Sequence, residues 1–186
     1  MSKTKIFFDT KLTGLHKHNS IISIGLVSEC GKTFYAEFKD YNKSQVTDWI
    51  EENVVDKLLY NGKDGCDHNF PSLGEIPNDW WCYGKKKDIR PLLTMWLEQF
   101  EQVEMWSDCL AYDWVLFCDL YGDAFSIPKN VYYIPFDICT LFKAKGIDPD
   151  ISREKFGCGE AYTEMPKHNA LWDARVIKMC YENLQK

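Results

Sequence analysis

The chain has 186 residues, of which 45% are hydrophobic and 15% are aromatic. This length and composition predict one folded domain with a sizeable core over residues 1–186, and they exclude a disordered chain. The formal net charge is −6, which argues against a protein that coats duplex nucleic acid through a basic surface. It leaves room for an enzyme that holds a few nucleotides through a metal-filled acidic pocket.

The sequence contains neither a membrane segment nor an export signal that we can identify. No run approaches the roughly 18 apolar residues of a membrane-spanning helix, and the N-terminal residues lack the pattern of a signal peptide. We therefore expect a cytoplasmic protein with no membrane partner. The eight cysteines include no CxxC pair, so we expect reduced thiols rather than a zinc site.

Apolar runs in the first part of the chain predict three strands, over residues 6–8, 20–27 and 32–38. Their short connections predict an antiparallel meander. Residues 45–59 then carry apolar side chains at spacings of three and four, which predicts a helix.

Residues 61–87 are rich in Gly, Asn, Asp and Pro and predict a long loop. A strap over a substrate site and a surface insertion held down by Trp80 and Trp81 are equally consistent with this composition.

Strands and helices alternate in the rest of the chain. Asp88 is expected to cap the first of these helices. The predicted elements are a helix at 88–100, a strand at 103–106, a helix at 112–121, a strand at 131–134, and helices at 137–145 and 168–184. Together with the meander, this order predicts an α/β fold with a mixed sheet flanked by helices.

Three acids stand where predicted strands or helices begin or end: Asp9, Asp113 and Asp173. Each alone is explained by capping or by a solvated helix surface. Together they fit a metal site better, since hard oxygen ligands suit Mg²⁺ or Mn²⁺. Two such ions, roughly 3.5–4 Å apart, stabilise the attacking and leaving oxygens of a phosphoryl displacement.

His168 precedes Asp173 by five residues. Five helical residues turn through about 500°, so the two side chains cannot share one helix face. We expect His168 just before the helix, over the site, where it could take a proton from an attacking water near neutral pH. The alternative is a surface histidine that caps the last helix.

Three segments resemble the motifs of the DnaQ-like 3′→5′ exonucleases. Residues 9–15 (DTKLTGL) resemble D-x-E-x-T-G-L, and residues 111–113 (AYD) resemble the second motif. Residues 168–174 (HNALWDA) match H-x-A-x-x-D-A, the form of the histidine-type (DEDDh) branch. Residues 20–38 are also similar to the strand pair of the RNase AS-like subgroup, which includes exoribonucleases of mycobacteria and phage-encoded relatives.

The resemblance implies a ribonuclease H-like fold and two divalent cations, Mg²⁺ or Mn²⁺. It implies that Asp9 bridges both ions, that Asp173 binds the first, and that Asp113 acts mainly through water on the second. His168 would be the general base. The implied contacts to the terminal nucleotide come from residues in and after the first motif and from the second motif: Thr10, Thr13, Gly14, Leu15 and Tyr112.

Lys11 departs from the family pattern, because the family has a metal-binding glutamate there. A charged lysine has no acceptor and cannot ligate a cation. Lys11 could point away while another carboxylate, Glu37 or Asp108, replaces the glutamate. It could instead occupy a cation position between Asp9 and Asp173 and impair catalysis. The chain could also be a variant of an active, glutamate-bearing enzyme.

The sequence therefore predicts a metal-dependent 3′→5′ exonuclease that acts on the 3′ end of single-stranded RNA or DNA, with RNA slightly favoured. The alternative is an inactive relative that binds nucleic-acid ends or a protein partner. The resemblance is also compatible with a homodimer.

Overall fold

The structure is a computed structural model that describes residues 3–60, 78–159 and 167–186. Its centre is a six-stranded sheet with the strand order β4-β3-β2-β1-β5-β6. The strands are β1 (Thr4–Leu12), β2 (Ile21–Ser28), β3 (Thr33–Phe38), β4 (Asp79–Gly84), β5 (Val103–Ser107) and β6 (Phe136–Asp137).

Strands β1, β2 and β3 pair antiparallel, whereas β4, β5 and β6 each pair parallel with a neighbour. The α-helices of the described residues are α1 (Asp48–Asn53), α2 (Lys86–Leu97), α3 (Leu110–Leu120), α4 (Ile138–Ala144), α5 (Arg153–Cys158) and α6 (Ala170–Leu184). The predicted α/β fold, a ribonuclease H-like mixed sheet flanked by helices, is confirmed, and so is the meander. No helix in the described ranges is both long enough and apolar enough to cross a membrane.

Both faces of the central strands are covered. Successive side chains of a strand point to opposite faces, and Phe8 packs in one cluster with Trp96 and Phe117, whereas Phe7 packs in another with Phe142 and Ile177. Every residue of β2 is buried, as expected of a strand enclosed between helical layers.

Helix α6 lies directly on the sheet because β2 has a glycine beneath its first turn. A Cβ added at Gly25 would stand 2.3 Å from the backbone nitrogen of Leu171. Gly25 is the cross-strand partner of Asp9. The close approach thus brings the start of α6 next to Asp9, which lies within β1.

The helix predicted at 45–59 is wrong as a continuous element. Helix α1 covers only Asp48–Asn53, capped by Thr47, and ends where Val54 adopts φ −120°, outside the helical region. A 3-10 turn follows at Val55–Lys57. The apolar spacing survives because both short pieces bury their apolar residues against the same cluster.

The predicted loop at 61–87 is wrong in its last part, and residues 61–77 lie outside the described ranges. Residues 79–84 form β4, parallel to β3, and Trp80 is buried in the core. Asp88 does not cap α2, which begins two residues earlier after Lys85.

The remaining predictions differ in detail. The strand predicted at 131–134 is wrong, because Val131 makes only a single bridge to Val103 and the strand lies at Phe136–Asp137. The helices predicted at 88–100, 112–121, 137–145 and 168–184 correspond to α2, α3, α4 and α6 with shifted ends. Helix α5 lies in a segment for which the sequence predicted no element.

Candidate active site

The parallel pairing of β1 and β5 brings two acids side by side. Phe7 of β1 lies opposite Trp106 of β5. Asp9 and Asp108 each come two residues after these partners. The first turn of α3 adds Asp113. One carboxylate oxygen of each of these three acids lies within 4.8 Å of the other two. They therefore form one cluster, in which Asp9 lies within β1, Asp108 directly follows β5 and Asp113 lies on α3.

Asp113 is held in place from two sides. Its Oδ1 accepts hydrogen bonds from the Thr10 backbone N (3.1 Å) and Oγ1 (2.6 Å), and its Oδ2 accepts one from Ser107 Oγ. Burial raises the pKa of Asp113 to about 6, although the hydrogen bonds from Ser107 and Thr10 oppose that rise. The carboxylate is thus fixed in orientation before any ligand binds.

Asp108 is the neighbouring carboxylate that the sequence could not distinguish from Glu37. It faces Arg153, whose Nε lies 3.5 Å from Asp108 Oδ2. Glu37 lies on β3, where it accepts hydrogen bonds from the Tyr35 hydroxyl (2.7 Å) and the Tyr60 backbone N (2.9 Å). Glu37 is therefore committed elsewhere, and Asp108 joins the acid cluster.

Lys11 points into the site rather than away from it. Its Nζ lies 2.9 Å from Asp9 Oδ2 and 2.5 Å from Asp173 Oδ2, and its side chain is only 13% exposed. Burial opposes the charged form of Lys11, but the two carboxylates outweigh it and raise the pKa of the amine. Lys11 is thus a buried ammonium shared by Asp9 and Asp173.

The donor set fits one divalent cation better than two. Burial raises the pKa of Asp9, and the neighbouring Asp113 and Asp173 add to the rise while Lys11 opposes it, so a cation beside the acid cluster would relieve concentrated negative charge. Between Asp9 and Asp173, however, the ammonium already stands. A dication about 4 Å from it would meet roughly 8 kcal/mol of repulsion at an effective dielectric of 20.

His168 lies just before α6, as predicted from its spacing. The helix begins at Ala170, and the Asn169 side chain caps it by accepting from the backbone N of Leu171 and Trp172. His168 has φ 65°, a left-handed conformation uncommon for residues other than glycine.

The environment of His168 favours its neutral form. Its ring and that of Trp49 form a T-shaped pair with centroids 5.5 Å apart. Burial, followed by the charge of Lys11, lowers the pKa of His168. A neutral imidazole is the form that can accept a proton.

The predicted nucleotide contacts fall into two groups. The hydroxyls of Thr10 and Thr13 are engaged within the protein, the first by Asp113 and the second by Gln45 Oε1 (2.7 Å) and the Ser20 backbone N (2.9 Å). These two side chains therefore brace the acid cluster and the loop after β1.

Leu15 and its neighbours form the exposed part of that loop. The Leu15 side chain is 68% exposed, and its carbonyl accepts a hydrogen bond from the Tyr112 hydroxyl at 3.1 Å. Gly14 adopts φ 149°, and a Cβ there would stand 3.0 Å from the His16 ring. The glycine thus permits a turn that presents Leu15 to solvent.

One cavity of about 320 Å³ joins most of these groups. It is lined by Asp9, Lys11, Asp108, Cys109, Ser152, Arg153, Glu154, His168, Asp173, Val176 and Ile177. Arg153 was not predicted as a site residue, and Trp49 was predicted only as part of the apolar spacing of the helix at 45–59. Arg153 lies in α5, which the local sequence pattern did not predict. An exposed tryptophan on a helix carries no local pattern that distinguishes a site residue from an ordinary surface residue.

The sequence profile of one family, described as the 3′-5′ exoribonuclease Rv2179c-like domain, matches residues 4–185. The chain belongs to this family. The match covers the sheet and the acid cluster, and it agrees with the predicted likeness to RNase AS-like exoribonucleases.

Two curated relatives come from strains of Mycobacterium tuberculosis. They are the 3′-5′ exoribonuclease MT2234.1 of strain CDC 1551 / Oshkosh and the 3′-5′ exoribonuclease Rv2179c of strain ATCC 25618 / H37Rv. This chain is 24% identical to each over 144 residues, which is 76% of this chain and 76% of the relative.

Proposed function

We propose that this protein is a 3′→5′ exonuclease that hydrolyses the 3′-terminal phosphodiester of single-stranded nucleic acid and releases nucleoside monophosphates. RNA is the favoured substrate, since both relatives bear the name exoribonuclease. The observation that carries the proposal is the cavity in which Asp9, Asp108, Asp173 and His168 meet. We also propose that residues 1–186 form a single domain. The cytoplasmic location and the homodimer stay predictions.

Asp9, Asp108 and Asp113 would hold a divalent cation, Mg²⁺ or Mn²⁺. When bound, the ion supplies positive charge for the phosphodiester oxygens in the displacement. Thr10 and Ser107 keep the Asp113 carboxylate aimed at the cluster, so the protein need not reorganise to receive the ion. Asp173 acts in this site through Lys11, which it holds beside Asp9.

His168 would act as general base. The neutral imidazole accepts a proton from the attacking water, which is effective only if the pKa lies near or below the working pH. Trp49 restricts the ring from one side. The terminal nucleotide would lie against Gly14 and Leu15, whose loop is tied to α3 by Tyr112.

A second candidate function follows from Lys11. Its ammonium stands between two of the acids that the family uses for metal. An inactive protein that binds nucleic-acid 3′ ends without cutting them is compatible with that arrangement.

Incubation with 5′-labelled single-stranded RNA and DNA, each with Mg²⁺ and with Mn²⁺, separates the two functions. We expect a ladder of shortened RNA, weaker laddering of DNA, and no products with EDTA. Lys5→Glu is the matched control for a Lys11→Glu variant. It makes the same charge change at the other end of β1, where Lys5 pairs with Glu29.

The outcome that supports the second function is binding of RNA without cleavage by the unaltered protein, with cleavage only after Lys11→Glu. If neither protein cleaves and Asp113→Ala leaves RNA binding unchanged, the exonuclease proposal is wrong.

A further inference from the structure

The surroundings of Lys11 are built like a cation site. Lys11 follows Asp9 by two residues on β1, so both side chains leave the same face of the strand. The ammonium lies 2.9 Å from Asp9 Oδ2 and 2.5 Å from Asp173 Oδ2, and the three side chains are 13%, 8% and 22% exposed. The position between these two carboxylates is therefore filled by the chain itself.

The other acids of the site also lie beside Asp9. Asp108 and Asp113 each place a carboxylate oxygen within 4.8 Å of one on Asp9. Asp108 comes from the end of β5, not from the first motif where the family has its glutamate. The chain thus has an extra carboxylate at one position and an ammonium at the other.

We propose that Lys11 serves as a built-in cation that replaces one of the two divalent ions, and that a single divalent ion binds among Asp9, Asp108 and Asp113. This inference rests on the proposed exonuclease function, since it assigns the charges of that same site. It explains how Lys11 and the acids coexist. The ammonium balances the negative charge of Asp9 and Asp173, which would otherwise need a bound ion.

Counting bound ions tests the inference without measuring activity. The full chain is titrated with Mn²⁺ by calorimetry, alone and with an equimolar mixture of the four ribonucleoside 5′-monophosphates. We expect one ion per chain under both conditions. Two ions would overturn the inference, and so would none.

Variants of Lys11 test whether this residue determines the number of bound ions. Lys11→Glu is expected to bind two Mn²⁺ with nucleotide present, whereas Lys5→Glu, with the same change in net charge, is expected to bind one. A folded Lys11→Glu that still binds one ion, or a Lys5→Glu that binds two, would contradict the inference. Thermal unfolding of each variant establishes that it is folded.

Lys11→Gln keeps the test decisive if the glutamate variant fails to fold. Without the ammonium, the first Mn²⁺ should bind at least about tenfold more tightly; unchanged affinity would contradict the inference. RNA cleavage is measured separately. One bound ion without cleavage defeats the proposed function alone, whereas cleavage with two bound ions defeats this inference alone.

Discussion

Asp113 is the most enclosed acid of the site, with 1% of its surface exposed. Its three hydrogen bonds come from Thr10 and Ser107. Such bonds stabilise the ionised carboxylate, but burial disfavours it more, and the pKa rises from its ordinary 3.8 to about 6. In the metal-free protein, the ionised Asp113 therefore lowers the stability of the fold, and a bound cation would offset this cost.

Asp113→Asn should stabilise the metal-free protein at high pH. Because the folded pKa exceeds the unfolded one, the folded state binds more protons between pH 4 and 6, so the Asp113 contribution to stability falls as pH rises through that window. Above pH 6 the cost is complete, about 3 kcal/mol at most. Asparagine removes the cost.

Urea unfolding in EDTA from pH 4 to pH 8 measures this effect. The free energy of unfolding of Asp113→Asn should exceed that of the unaltered protein at pH 8, and the excess should shrink towards pH 4. An excess that is constant with pH would show that the buried charge is not its source.

A variant of His168 tests the proposed role of this residue as general base. His168→Asn removes the proton acceptor but suits φ 65°, because asparagine tolerates the left-handed region. We expect the turnover number on RNA to fall by about 10²–10⁴ while Mn²⁺ affinity is retained. An equal loss of metal affinity would indicate a structural role instead.

The pH profile identifies the group. Activity of the unaltered protein should fall as pH drops below the ordinary histidine pKa of 6.5, since burial and Lys11 lower the pKa of His168. His168→Asn should lose this acid limb. A limb that is unchanged in the variant would assign it to another residue.

Among the elements, β2 and α6 make a close backbone contact. Gly25 leaves no room between β2 and the first turn of α6, and both His168 and Asp173 are carried by that end of the helix. The contact is between backbones, so side-chain rotation cannot relieve a clash there.

Gly25→Ala should displace α6 and destabilise the fold by about 3 kcal/mol or more. Gly84→Ala is the matched control, because a Cβ at Gly84 would meet its nearest neighbour at an ordinary 3.7 Å. Thermal unfolding compares the two, and any Gly25→Ala protein that folds should lose activity on RNA. Equal stability of both variants would contradict the close approach.

At the scale of the whole molecule, ion binding and folding are linked. The acid cluster unites β1, the end of β5 and α3, so a cation that binds only the folded chain stabilises all three together. The gain at 100 times the dissociation constant is about 2.7 kcal/mol.

Mn²⁺ should therefore raise the melting temperature by about 5–10 °C over the EDTA value, for a chain of this size. Asp9→Asn should abolish most of the rise. Asp123→Asn should retain it, because Asp123 lies in an exposed turn where its Oδ1 accepts from the backbone N of Phe125 and Ser126. A rise that persists in Asp9→Asn would place the ion elsewhere.

The sequence by itself determined the meander and the position of His168 before α6, whereas the strand end predicted at Asp9 is wrong, because β1 continues to Leu12. The meander and the position of His168 depend on local periodicity and spacing, which the chain carries within a few residues. The motifs on residues 9–15 and 168–174 also pointed to the family. By contrast, the apolar spacing of residues 45–59 could not show that Val54 breaks the helix.

Only the tertiary structure decided what surrounds the lysine. Lys11 and Asp173 are 162 positions apart in the chain, and Asp108 reaches Asp9 only through the parallel register of β5 on β1. Contacts between residues so far apart in the sequence depend on strand order and packing, which local patterns do not encode. The contacts of the Lys11 ammonium with Asp9 and Asp173 therefore follow from the tertiary structure and not from the motif that contains Lys11.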